Sequence, residues 1–289
     1  MLVREPYVAG YFYPSEKEKL IQTIESCFTD TNIGPGKLPE RDNIKKLRRS
    51  CGIVVPHAGY IYSGKVAAHS YLWAFEKGKP DLIVIIGPNH NGGLMDWTET
   101  DRARGFIATV FPSGEWKTPL GNSKVEAKTA RDISYLWKYC ELDVDSHTAE
   151  HSLEVQLPFL QYIYGFDVPI VPITLIDQSK YLVNELSNTL REVTKGLSVL
   201  YVASSDFTHY ETQEFATETD QRIINDILKN DMDSFYKEII AGATVCGFGA
   251  IGILMKLGFK NRNLLKYATS GDVTGDYRKV VGYASISFE

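Results

Sequence analysis

Ile53-Val54-Val55-Pro56-His57-Ala58-Gly59-Tyr60 is the stretch from which the fold is read. A β-branched run stops at a proline, and a histidine follows at once. The design returns at Leu82-Ile83-Val84-Ile85-Ile86-Gly87-Pro88-Asn89-His90. It returns more loosely at Leu197-Ser198-Val199-Leu200-Tyr201-Val202-Ala203-Ser204-Ser205-Asp206, with His209 just beyond. Each apolar run has the length of a fully buried strand, and each delivers a polar, metal-capable side chain where it stops. In α/β sheets, ligands bind beyond the carboxyl ends of the strands. The three stretches therefore predict one site at which His57, His90 and Asp206/His209 meet.

Outward from these runs, strands alternate with helical patterns. A helix is expected from Glu16 to about Phe28, opened by a capping box of Ser15 and Glu18. Another is expected from Lys65 to Glu76, with His69 on it; a lone helical histidine usually packs or faces water. Further strands are expected at 106–111, 168–175, 198–203 and 280–288, and further helices at 123–137, 178–194, 214–240 and 250–257. Trp116 to Gly121 reads as a turn. Leu153, Leu157, Leu160 and Tyr164 have helical spacing, and Pro158 should kink that helix or split off its first turn. The alternation predicts a single-domain, three-layer α/β/α sandwich around a mixed, mostly parallel sheet over residues 1–289.

Composition narrows the function classes. Of 289 residues, 23% are charged and 44% hydrophobic, as in an ordinary globular chain. The net charge of -5, without a long block of one sign, argues against nucleic acid as the main partner. No apolar run approaches the roughly 20 residues of a membrane helix, and no signal-peptide core opens the chain. The expectation is a cytoplasmic protein without a membrane partner. Cys27, Cys51, Cys140 and Cys246 are widely spaced, which speaks against a disulfide framework or a structural zinc knuckle.

The chemistry-bearing residues follow. Pro56 and Pro88 fix the backbone before each histidine, and Gly59, Gly64, Gly92 and Gly93 permit tight loops. A single strand-end histidine is most often structural; two at matching positions point to metal binding or acid/base work. Cys246 stands before an apolar helix, whose N-terminus favours a thiolate, although a buried inert thiol is the commoner case. Asp206 and His209 read as a ligand with a base, as a carboxylate orienting an imidazole, or as a helix cap. His147 and His151 are four apart beside Glu150 and Glu154, a weak match to a zinc-binding pair. The better reading has His151 or Glu154 facing the site.

Together, Val8-Ala9-Gly10-Tyr11-Phe12-Tyr13-Pro14, Pro56-His57-Ala58-Gly59-Tyr60, Gly87-Pro88-Asn89-His90, Glu150-His151-Ser152-Leu153-Glu154-Val155-Gln156-Leu157-Pro158, Ser204-Ser205-Asp206-Phe207-Thr208-His209 and Thr244-Val245-Cys246-Gly247 resemble the Memo family. That family is named for a mediator of receptor-driven cell motility, and the motifs run in family order from 3 to 288. The resemblance implies a fold like the class III, non-haem-iron extradiol dioxygenases of the LigB type. It also implies His57, His90 and Cys246 as metal ligands, with Asp206 and His209 beside them in catalytic roles. His209 matches the dioxygenases' acid/base histidine. Asn91 departs from relatives that carry a second histidine there.

A cysteine in place of the dioxygenase carboxylate adds a soft, oxidisable ligand. The expectation is one metal ion, Fe(II) or Cu ahead of Zn, in a metal-dependent oxidoreductase. Tyr60 and Tyr62 would either line a pocket for a small aromatic or phenolic ligand or pack at the sheet edge, with His151 and Glu154 lining or supporting the site. The family is also known in animals for binding phosphotyrosine-containing peptides. The alternatives are accordingly a non-catalytic peptide- or protein-binding scaffold and a zinc-dependent hydrolase.

Overall fold

Period-two alternation along the central strands builds the layers. The structure is a computed structural model that describes residues 2–41, 44–90 and 107–289. Ile53, Val55, Ile83, Ile85, Leu200 and Val202 point to one side of the sheet; Val54, Leu82, Val84, Ile86, Val199, Tyr201 and Ala203 point to the other. A strand apolar on both sides needs cover on both faces. Helices supply it.

The chain runs β1 (Val3–Arg4), α1 (Lys17–Thr29), β2 (Cys51–Val55), α2 (Tyr60–Lys77), β3 (Leu82–Pro88), β4 (Ala108–Val110), β5 (Glu115–Thr118) and β6 (Gly121–Lys124). It continues through α3 (Ala127–Leu136), β7 (Cys140–Leu142), α4 (Asp145–Thr148), α5 (His151–Glu154), α6 (Leu157–Tyr164), β8 (Ile170–Leu175), α7 (Lys180–Val193) and β9 (Val199–Ser204). It closes with β10 (His209–Glu211), α8 (Gln213–Lys229), α9 (Met232–Ile240), α10 (Phe248–Lys256), β11 (Arg262–Thr269), α11 (Ser270–Thr274) and β12 (Val280–Phe288). Among the described residues, nine strands form one sheet in the order β10-β12-β2-β9-β3-β8-β4-β7, with β11 also on β12. The central four, β2, β9, β3 and β8, are parallel. Antiparallel pairs are added at both sides. This is the expected architecture of a mixed, mostly parallel sheet flanked by helices. Among the described residues no helix is long and apolar enough to cross a membrane.

One face is covered by α1, α2 and α6, which bring Leu20, Ile24, Tyr71 and Phe159 onto the sheet. The other is covered by α3, α7, α8 and α10, through Ile133, Leu186, Ile223 and Ile253 among others. Truncating one such fully buried aliphatic side chain to alanine costs about 2–5 kcal/mol.

Several local expectations change. Trp116 to Gly121 is a hairpin, β5 against β6 with Thr118 opposite Gly121, because Trp116 is buried and draws its strand onto the body. Residues 123–124 belong to β6, and α3 starts later, where the Glu126 carboxylate accepts the Thr129 N–H. Ser15 does not cap α1; Glu16 holds that position without a side-chain bond. The 214–240 helix divides at Asn230, which is left-handed (φ 58°), and Asp231 caps α9. Pro158 stands in the first turn of α6, separated from α5. Asn91, Gly92, Gly93 and Phe106 lie outside the described residues.

Register fixes where the site is. Val55 pairs with Ser204 and Ile86 with Ala203. Pro56-His57, Ser205-Asp206 and Asn89-His90 therefore leave the sheet along one edge. β9 lies between β2 and β3, so the two histidines come from strands that flank a third and are not themselves paired.

Candidate metal centre

Each histidine of the pair is held by its Nδ1. His57 Nδ1 lies 2.7 Å from Ser204 Oγ. That hydroxyl gives its single proton to the Ser152 carbonyl and also accepts from Gln156 Nε2. It can therefore only accept from His57, so Nδ1 carries the proton and Nε2 keeps its lone pair. His90 Nδ1 lies 3.0 Å from Glu150 Oε1. An ionised carboxylate only accepts, so His90 takes the same tautomer. Glu150 also accepts the His90 and Ser152 N–H groups and is fully buried. Burial alone would raise its carboxyl, but the bond from His90 and the neighbouring histidines bring it down to about 2.

The free nitrogen of His57 meets the third donor. Cys246 Sγ is 3.2 Å from His57 Nε2. Ligand atoms of His57, His90 and Cys246 all lie within 4.8 Å of one another, as a set around one ion requires. The cysteine is fixed by reciprocal backbone contacts: Asp206 N–H points at Sγ from 3.1 Å, and Cys246 N–H donates to the Asp206 carbonyl. Gly247 lets the turn approach β9; a Cβ there would meet the Ser204 carbonyl at 2.2 Å. The helix start does not activate the thiol. Burial, with Asp206 beside it, pushes the Cys246 thiol well up, because desolvation of a thiolate outweighs a helix end. Such a thiol ionises when a bound cation supplies the compensating charge. Burial and the neighbouring histidines hold His57 well below the ordinary imidazole range, so it is neutral and ligand-competent. Two imidazoles with set tautomers and one thiol fit a soft or borderline metal ion.

Around this floor stand the other expected residues. Asp206 is buried; burial lifts its carboxyl to about 6, against the His57 N–H that Oδ1 accepts at 2.8 Å and the charge of His209. His209 lines the cavity wall, with its N–H on Thr244 Oγ1 and its Nδ1–H on the Thr244 carbonyl, both at 2.8 Å. His151 stacks on His90 with centroids 4.5 Å apart and meets Phe12 at 4.9 Å; burial brings its imidazole down to about 4. The cavity above measures about 620 Å³ and is walled by Tyr11, Phe12, Tyr62, Tyr210 and Tyr283, with Lys279 at its side.

Three sequence expectations move, and His69 packs as expected. Tyr60 does not line the cavity; it opens α2 with its hydroxyl on the Val155 carbonyl, packed against Phe159. Glu154 is also beneath the wall. It pairs with buried Arg4 and accepts the Tyr7 and Val8 N–H groups and the Tyr13 hydroxyl, tying the N-terminal segment down. His147 and His151 do not share a helix face, because α4 and α5 are separate single turns. His147 is buried between Phe111 and Trp116. His69 bonds the Ile33 carbonyl, away from the site. Glu150, Ser204, Gln156 and Thr244 were not singled out. Only Glu150 carries a sequence signal, as a carboxylate adjoining His151 in the motif that also holds Glu154.

The family described as Memo-like protein matches residues 4–287. A MEMO1 family protein of Thermotoga neapolitana is 44% identical over 286 residues, covering 98% of this chain and 99% of the relative. One from Desulfurococcus amylolyticus is 44% identical over 295 residues, covering 100% and 99%. The crystal structure of an uncharacterised Escherichia coli K12 protein superposes with a TM-score of 0.50 at 11% identity, covering 83% of this chain and 100% of that one; this is a likeness of fold alone.

Proposed function

We propose that this chain, which belongs to the Memo family, holds one iron or copper ion on His57 Nε2, His90 Nε2 and Cys246 Sγ, and acts as a metal-dependent oxidoreductase on a small ligand in the cavity above. The observation that carries this reading is the matched pinning of the two imidazoles: Ser204 and Glu150 each take an Nδ1 proton and leave an Nε2 lone pair, that of His57 lying 3.2 Å from the thiol, within a His57, His90 and Cys246 group of ligand atoms no more than 4.8 Å apart. Ligating histidines are held in this way by outer hydrogen bonds. When bound, such an ion supplies redox chemistry and polarises its ligand. His209 takes or gives a proton at the cavity wall. Asp206, within the same floor, holds the His57 backbone and sets the local charge. Phe12, Tyr62 and Tyr283 exclude water and offer flat surfaces to an aromatic group.

Metal analysis of protein purified without oxygen tests the reading. About one equivalent of iron or copper per chain is expected from a single three-donor site, lost in both His57→Ala and Cys246→Ser. Wild-type protein without metal, or Cys246→Ser with undiminished metal, overturns it. Zinc at full occupancy, with turnover of an ester or amide independent of dioxygen, would instead favour the hydrolase. A peptide-binding scaffold is favoured by one observation, the exposure of Tyr11 (87%) and Tyr210 (68%) at the mouth. It requires measurable peptide affinity without turnover.

A further inference from the structure

The strand carrying His209 is irregular at the next residue. β10 pairs with β12 through His209 opposite Val281 and Glu211 opposite Val280, and the register slips between them. Tyr210 is the extra residue of this bulge, and its φ is 61°. Bulges of this kind ordinarily place glycine in the left-handed region, because a Cβ there crowds the backbone. A tyrosine in that conformation persists only where its surroundings hold it.

The surroundings do hold it, from two sides. Behind the strand, buried Asp220 accepts the Thr208 N–H at 3.1 Å and the Thr208 hydroxyl at 2.6 Å. Phe207 and Thr208 exchange backbone bonds with Gly282, which is pressed so closely on Asp220 that a Cβ would lie 1.9 Å from Oδ2. In front, Thr244 grips His209 twice, at the backbone N–H through Oγ1 and at Nδ1 through its carbonyl. A carbonyl only accepts, so His209 carries its proton on Nδ1. Nε2 is then the nitrogen open to exchange a proton. Thr244 stands two residues before Cys246, in the turn that Cys246 N–H ties to the Asp206 carbonyl.

We propose that Thr244 is a positioning residue: by holding both N–H groups of His209 it sets the tautomer with Nε2 open, and it links that orientation to the turn that carries Cys246. The inference rests on the reading of His209 as the group that moves protons. Thr244 is neither one of the three proposed ligands nor itself part of the cavity wall, and it acts through His209, which is.

Nitrogen-15 NMR of histidine-labelled, metal-free full-length chain tests it directly. In its neutral form the wild type should show His209 with a protonated Nδ1 and an unprotonated Nε2. Thr244→Val keeps the carbonyl that takes the Nδ1 proton but removes the Oγ1 that anchors the His209 backbone against it; it should give mixed tautomers, and Thr244→Ser should restore the single one. Hydrogen exchange at the His209 amide should be about tenfold faster in Thr244→Val, the loss of one net hydrogen bond. A wild-type tautomer pattern in Thr244→Val, or failure of Thr244→Ser to restore it, overturns the proposal. His209→Gln separates the two readings. If it leaves turnover of the metal-loaded protein intact while the Thr244 variants behave as expected, the proton-handling reading fails and the clamp stands. If it abolishes turnover while Thr244→Val keeps the wild-type pattern, the clamp fails alone.

Discussion

On the floor of the cavity, His57 and His90 each give an Nδ1 proton to a buried side chain. On the rim, His209 gives its own to a carbonyl in an exposed turn, next to a tyrosine at φ 61°. The floor's acceptors are fully buried, although the His90 side chain is itself 30% exposed, and they are joined: Ser204, Gln156, Ser152 and Glu150 bond one another or the histidines. Networks of this sort are strong when complete and costly when broken. The rim's bonds compete with solvent, and each is worth less. A group needed in one orientation on the rim must be held by several weak contacts against local strain. One side of this site is therefore rigid by satisfaction, the other by restraint.

The largest effect should come from beneath the floor. Arg4 and Glu154 are an ion pair almost without exposure. Glu154→Gln keeps an amide oxygen for Arg4 but removes the only anionic partner shown for it, leaving the buried guanidinium with neutral acceptors, the His147 and Glu150 carbonyls among them. An uncompensated buried charge costs about 3–5 kcal/mol, and chemical denaturation should show that loss. A change below about 1 kcal/mol would mean that water reaches Arg4, and the contrast between dry floor and wet rim would weaken. Next in size is Glu150→Gln. It keeps the shape but removes the charge that holds the His90 Nδ1 proton. Metal affinity should fall by about 10–100-fold, as for other outer-shell partners of ligating histidines. Competition with a chelator of known affinity measures it; an unchanged dissociation constant would remove Glu150 from the floor's design.

The sequence made the floor more legible than the rim. A β-branched run followed by Pro-His is a local pattern, and parallel register brings two such ends to one edge without further information. The choice between Glu150 and Glu154 was not local. It depends on the break between α4 and α5 and on Arg4, which is 150 residues away along the chain from Glu154. Ser204 and Thr244 are small polar residues, and nothing in their neighbours distinguishes a histidine's partner from a turn or cap. The position of Cys246 before a helix was readable, but the direction of its thiol shift was not. That depends on how deeply the turn is buried and on Asp206, both consequences of packing. The break at Asn230 differs: Asn230 followed by Asp231 is a stop-and-cap signal that the continuous apolar pattern of 214–240 masks.

Tyr210 is the least legible position and gives the smallest but most diagnostic effect. Pattern reading assigns positive φ to glycine, asparagine or aspartate, and a tyrosine is a poor candidate. Tyr210→Gly removes a left-handed penalty of about 1–2 kcal/mol. It adds about 0.5–1 kcal/mol of unfolded-state freedom. The ring is 68% exposed, so little burial is lost with it. The net expectation is a stabilisation of about 0.5–1 kcal/mol by urea unfolding, together with weaker binding of aromatic ligands, since the ring forms part of the cavity wall. Stability gained while binding is lost is the signature of strain kept for function. If Tyr210→Gly instead destabilises the protein, the rim is held by favourable packing and is not strained. Floor and rim would then be built by the same means.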